Sequence, residues 1–282
     1  ATLPPDQAFA AGMAARRQTL ADPPRSVWQP NGWREGLPAV DAMVLVADAE
    51  LTRVTAALEG VEGWLNGTGV RILVVERGDQ QTKVFNDANG AEGVEHFGYV
   101  DGRSQPLFLE EDLDQEPQAQ WSARFKPSQF IVADPNGRHP LAAGSYFVFR
   151  KLEQNVRGFK QAERDLAATL GLAGEDEERA GAMVVGRFED GTPLALHPDA
   201  TAAKPPNDFT YDADTDGLRC PFHAHIRKTN PRGDVKRQFN LPNDGGDRNP
   251  IMARRGITYG PRRRTANGKD FAEPERQEPT RD

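Results

Sequence analysis

The stretch HFGYVDGRSQP at 96–106 sets Asp101 between an apolar run and a glycine, with Arg103 just beyond. Gly98 and Gly102 can take positive φ and Asp101 can cap its own backbone, so the local reading is a turn. A histidine and an arginine elsewhere in the chain could meet this aspartate. A second stretch, IMARRGITYG at 251–260, embeds Arg254 and Arg255 in apolar sequence. A cation in that setting needs a partner, and an anion, a carboxylate or a peroxide would each serve.

CPFHAHIRKTNPR at 220–232 is the densest in reactive groups, with Cys220, His223, His225 and Arg227. If it is extended, His223 and His225 share a face, and a nearby carboxylate would complete a divalent-metal site. If one histidine alone is a ligand, it suits an axial position on haem. A loop that satisfies both by hydrogen bonds is the third reading. Cys220, ahead of a proline, reads as a small buried residue.

The elements that must hold these groups are legible in part. A short helix is expected near 6–19, followed by irregular chain with Trp28 and Trp33. DAMVLVAD at 41–48 and RILVVERG at 71–78 have the length and composition of strands. Between them Leu51, Val54, Leu58, Val61 and Leu65 mark one face of a helix over 51–65. Residues 79–140 carry few regular signals beyond FIVADPNG, a strand running into a turn. SYFVFRKL at 145–152 alternates as a strand. Val156, Phe159, Leu166 and Leu170 then mark a helix ending at Gly171. A further helix is expected over 175–186, and a turn at Asp190-Gly191. Strand-then-helix grammar recurs in both halves, which argues an α+β class. From Pro261 the tail is polar, and Arg262 to Arg264 are its one basic cluster.

Composition narrows the function classes. Among 282 residues, 35 Lys and Arg stand against 42 Asp and Glu, a net charge of −7 that disfavours nucleic acid and anionic lipid as partners. The single cysteine allows no disulfide within the chain. No apolar run has the ~20 residues of a membrane span, and no signal peptide is visible, which leaves the compartment open.

HFGYVDGRSQP, CPFHAHIRKTNPR and MARRGITYG, in that order, resemble the motifs of the dye-decolourising (DyP-type) haem peroxidases. GSYFVFRKLEQNV at 144–156 and VVGRFEDGTPL at 184–194 look like further family segments, so that the resemblance spans roughly 40–260. It implies an enzyme that reduces hydrogen peroxide and oxidises dyes, phenols or other organic donors through a high-valent iron-oxo intermediate on haem b (iron protoporphyrin IX). The implied fold is a pair of ferredoxin-like α+β halves, antiparallel sheet with helices. Residues 1–140 would be the first half, carrying the GxxDG motif, and 141–282 the haem-binding half. Position by position, Asp101 matches the distal acid, Gly102 lets backbone approach the haem face, and His225 matches the proximal iron ligand. Arg254 matches the distal arginine, with Arg255 the competing choice. Arg103 and Arg227 are candidates for haem-propionate contacts on charge and position. Trp64, Trp121, Tyr146 and Tyr211 are available as electron relays for donors too bulky to reach the haem. Because the base would be a carboxylate, such a site could keep working at acidic pH.

Family members usually have more sheet before a segment like DQAFAAGMAARR. After RRGITYG they continue into a strand and helix that supply an acidic partner for the proximal histidine. The resemblance therefore implies that some N- and C-terminal elements are lacking here, or that another chain or segment completes the fold. A haem-binding or interaction module without turnover and a non-haem metal enzyme using His223 and His225 are the other readings.

Overall fold

In the computed structural model, the residues described are 6–22, 40–88, 90–115, 120–121, 127–201, 203–204 and 206–260. Trp28, Trp33 and the tail from Pro261, including Arg262 to Arg264, lie outside them. The chain divides into two units, Ala1–Ala11 with Gly78–Thr280, and Gly12–Arg77 with Arg281–Asp282. Every candidate site residue belongs to the first.

Helices follow the apolar periodicity closely. Helix α1 (Gln7–Ala15) is interrupted at Gly12, whose φ of 74° is outside the helical range. Helix α2 covers Leu51–Leu65, as its five-residue apolar face implies. A short acidic helix, α3, occupies Glu110–Asp114. Helix α4 (Val156–Leu170) opens on Asn155, whose side chain accepts from the Gly158 N–H, and closes on Gly171 at φ 69°. Those two residues satisfy backbone groups that a bare helix end leaves open. A 3₁₀ turn at Gly174–Glu177 leads into α5 (Glu178–Val185), which Gly186 ends at φ 100°.

The sheets are two antiparallel hairpins, β1 (Gln81–Asn86) with β2 (Gly90–Val94), and β3 (Ile131–Ala133) with β4 (Ala143–Ser145). With the helices they make an α+β molecule. Three expected strands are corrected. Residues 41–48 and 71–78 are irregular, and of 145–152 only Ser145 joins a strand. An apolar run becomes a strand only when a neighbouring strand takes its N–H and C=O groups, and among the described residues no strand pairs with 41–48, 71–78 or 146–152. Val44, Leu45, Phe147 and Val148 are correspondingly exposed. Conversely, the β1–β2 hairpin lies in the stretch that carried few signals.

Buried residues gather in the second half of the chain. Ala195, Phe209, Tyr211, Cys220 and Ala224 form one cluster, and Ala182, Phe188 and Leu194, with Met183 against them, another. Three short helices follow: α6 (His225–Thr229), α7 (Asp234–Gln238) and α8 (Gly245–Arg248). Gly186 seats α6 on the end of α5, because a Cβ there would collide with Ile226.

Candidate active site

Gly98 and Gly102 both adopt positive φ, 100° and 82°, as the turn reading requires. Asp101 is tied on both sides of its own residue: its N–H donates to Gly93 O at 2.9 Å, and its Oδ1 accepts from the Gly102 N–H at 2.8 Å. Val100 N–H donates to Glu189 O at 2.9 Å, binding the turn to the 187–193 loop. Farther on, Ser104 Oγ accepts from Arg187 Nη2 and Arg232 Nη2 at 3.2 and 3.3 Å. Burial, with Arg232 alongside, lowers the Arg187 pKa to about 9.

Arg254 comes to this loop from 153 residues away. Its guanidinium pairs with Asp101 Oδ1, and its N–H donates to Gln105 Oε1 at 2.8 Å. Arg255 instead turns to its neighbour's carbonyl and to Gln105 Oε1, so Arg254 is the arginine that meets the aspartate. Gly256 makes room for the pair, since a Cβ there would strike the Arg254 guanidinium. The segment is pinned beyond the arginines as well: Asp79 N–H donates to Thr258 O at 2.8 Å, and His96 Nε2 lies 2.9 Å from Tyr259 O.

Asp101, Gly102 and Arg254 line a cleft of about 350 Å³, walled by Val94, Pro106, Leu107 and Phe108 among others. One oxygen of Asp101 is held twice. The other, Oδ2, has no hydrogen-bond partner among the described residues and lies toward Gly256.

His225 opens α6, so the extended arrangement with His223 does not occur. Desolvation lowers its pKa, Arg254 lowers it further, and Asp101 acts in the opposite sense. Its proton affinity thus senses both members of the pair. The neutral imidazole that results is the form that ligates a metal. Its ring makes no hydrogen bond among the described residues.

Two residues on, Arg227 is almost wholly buried and all five of its N–H groups are taken. They go to Asp234 Oδ1 and Oδ2 at 3.0 and 2.6 Å, Asp214 Oδ2 and O at 2.8 Å each, and Cys220 O at 2.5 Å. Tyr211 and Phe222 sandwich its guanidinium. The contacts observed for Arg227 therefore anchor α6 and leave no donor for a propionate. Arg103 pairs with Glu92 of β2.

The residue types that an iron porphyrin takes are present, with His225 outside the lining of the cleft that Asp101, Gly102 and Arg254 share. At Gly102 a Cβ would meet nothing within 4 Å, which leaves a backbone face open to a flat ligand. A carboxylate with one uncommitted oxygen, a cation and an uncommitted imidazole complete the donor set. A non-haem site is not assembled: no group of three or more His, Cys, Asp or Glu able to hold a metal ion occurs among the described residues. Cys220 is buried and its thiol pKa is pushed up to about 11, chiefly by desolvation, so it is no thiolate at neutral pH. Of the aromatic relay candidates, Trp121 and Tyr211 are buried, while Trp64 and Tyr146 are exposed.

In sequence and fold the chain is a homologue of the dye-decolourising peroxidases, and its α+β architecture is theirs over the part it spans. It is 48% identical over 268 residues to the multifunctional dye peroxidase DyP2 of Amycolatopsis sp., covering 93% of this chain and 55% of that protein. To the dye-decolorizing peroxidase msp1 of Mycetinis scorodonius it is 30% identical over 282 residues, covering 91% and 50%. The solved structure of DyP2 from Amycolatopsis sp. superposes with a TM-score of 0.85 at 44% identity, covering 99% of this chain and 59% of that one. A DyP-type peroxidase of Anabaena sp. gives 0.72 at 34% identity, covering 85% and 51%. The chain thus spans about half the length of the curated relatives it matches. No family model matches it.

Two sets of residues that shape the site carried no sequence signal of their own. Arg187 and Arg232 act on a serine hydroxyl, and Glu95 acts on backbone amides of the GYVDG turn. Arg187 and Arg232 lie inside the segments VVGRFEDGTPL and CPFHAHIRKTNPR, but residue type alone marked no role for either.

Proposed function

We propose that this chain carries the distal and proximal residues of a haem peroxidase, which reduces hydrogen peroxide and oxidises dyes, phenols or other organic donors. The observation that carries this reading is the Asp101–Arg254 pair in the cleft, with Asp101 Oδ2 left uncommitted beside an open glycine face. His225 would hold haem b, and Arg103, next in sequence to Gly102 and paired with Glu92 of β2, is the candidate for a propionate contact. When bound, the haem iron supplies the redox chemistry, accepting oxidising power from peroxide and passing it to the donor.

The chain's own residues account for the proton movements. Asp101 Oδ2 would take a proton from one peroxide oxygen and return it to the other, which would let that oxygen leave as water while bound haem iron supplied the two electrons and held the remaining oxygen. Oδ1 cannot do this, because Gly102 and Arg254 already occupy it. Arg254 keeps the carboxylate aimed and stabilises negative charge developing on the peroxide oxygen. His225, held neutral by its surroundings, keeps the lone pair that an iron requires.

Titration of the purified chain with hemin, followed by absorption, tests the proximal assignment. A specific Soret band is expected in the wild type and in His223→Ala, and is expected to be lost in His225→Ala. Equal behaviour of the two histidine variants would remove His225 from the site.

A further inference from the structure

A turn with two positive-φ glycines is free to adopt many shapes, so something else must fix the direction in which Asp101 leaves it. Resting on the reading of Asp101 as the proton carrier, we infer that Glu95 is the positioning residue of this loop. Its Oε2 accepts from the Phe97 N–H at 2.8 Å and its Oε1 from the Tyr99 N–H at 2.9 Å. The backbone of the same residue closes the turn: its N–H donates to Tyr99 O at 3.1 Å, and its C=O accepts from the Gly98 N–H at 2.9 Å. Four hydrogen bonds from residues 97–99 therefore converge on Glu95. The carboxylate is itself braced by Gln154 Nε2 at 2.6 Å, one residue ahead of the Asn155 that caps α4. Glu95 does not line the cleft, so it reaches the chemistry only through the backbone it shapes.

The residue type follows from the count of acceptors. Two amides approach two different oxygens, and a carboxylate offers acceptors on both. A glutamine of the same shape would turn an NH₂ toward one of those N–H groups, setting donor against donor. Aspartate is one methylene shorter and would not span the turn. From Glu95 the shape passes along Tyr99, whose hydroxyl is held by Glu163 of α4, to Val100 and then to Asp101.

The test compares the wild type with Glu95→Gln and Gln154→Leu. Amide hydrogen exchange of the chain without hemin reads the loop directly. Glu95→Gln is expected to speed exchange at Phe97 and Tyr99 about tenfold, the loss of roughly one hydrogen bond's protection. Gln154→Leu, which keeps both loop bonds, is expected to do far less. In hemin-loaded protein, Glu95→Gln is expected to slow the reaction with peroxide about 10- to 100-fold, the effect of misaiming a catalytic group by an ångström. Hemin affinity and the KM for an organic donor are expected to be unchanged. Unaltered exchange at both amides would overturn the inference, as would a peroxide rate that falls only with hemin affinity or with the folded fraction. If the wild type takes up no hemin, the peroxidase reading fails and the exchange data alone decide the role of Glu95.

Discussion

Arg227 and Arg254 carry the same side chain and similar sequence surroundings, and their partners give them opposite tasks. Arg254 is half-exposed with one carboxylate, and Arg227 is buried with two. Removing Arg227 would strand Asp214 without its cation, although Asp234 keeps Arg237, and a broken buried pair costs about 3–5 kcal/mol. Arg227→Leu is accordingly expected to lower the urea midpoint strongly, while Arg254→Leu, at an exposed pair worth at most about 1 kcal/mol, is expected to leave it nearly unchanged. Equal midpoints for the two variants would refute the division of labour. The sequence showed both arginines and the histidine beside one of them. It did not show burial, because charge type says nothing about which cation meets two carboxylates inside the fold. Glu95 was illegible for a related reason: its partners are backbone amides, which every residue has.

Elements were legible where their signal is local. The 3.6-residue spacing over 51–65 and 156–170, with Gly171 at the end of the second, placed those helices within a residue or so of where they are. Strands depend on a partner elsewhere, so the apolar runs at 41–48 and 71–78 misled. The hairpin of β1 and β2 was overlooked because its strands, QTKVFN and GAEGV, are half polar and glycine-bearing. The packing of α5 on Tyr99 of the 96–102 turn yields a test at this scale. A Cβ at Gly181 would collide with the Tyr99 hydroxyl and the Glu163 carboxylate, whereas Gly63 of α2 has open space around it. Gly181→Ala is expected to destabilise by about 1–3 kcal/mol, the usual cost of overpacking. Gly63→Ala is expected to stabilise by up to about 1 kcal/mol through helix propensity. Urea unfolding of both variants reads the contrast, and a neutral Gly181→Ala would show that α5 does not support the loop.

The whole molecule explains why so small a site needs so much chain. Asp101 and Arg254 are 153 positions apart, and the bonds that dock 254–259 onto 79–105 bridge up to 179. Between them runs the polypeptide that builds α4, α5 and the anchored helix of His225. Among the described residues no helix is long and apolar enough to cross a membrane. Because the chain spans about half the length of the relatives it matches, the claim that these residues can react with peroxide has to be met by this chain itself. The most direct measurement is stopped-flow mixing of hemin-loaded wild type and Asp101→Asn with hydrogen peroxide, after equal hemin uptake by the two has been verified. Loss of the proton carrier is expected to slow the peroxide reaction by about 100-fold or more, the scale of general acid–base catalysis. Equal rates in the two proteins would contradict the assignment of Asp101 as that carrier.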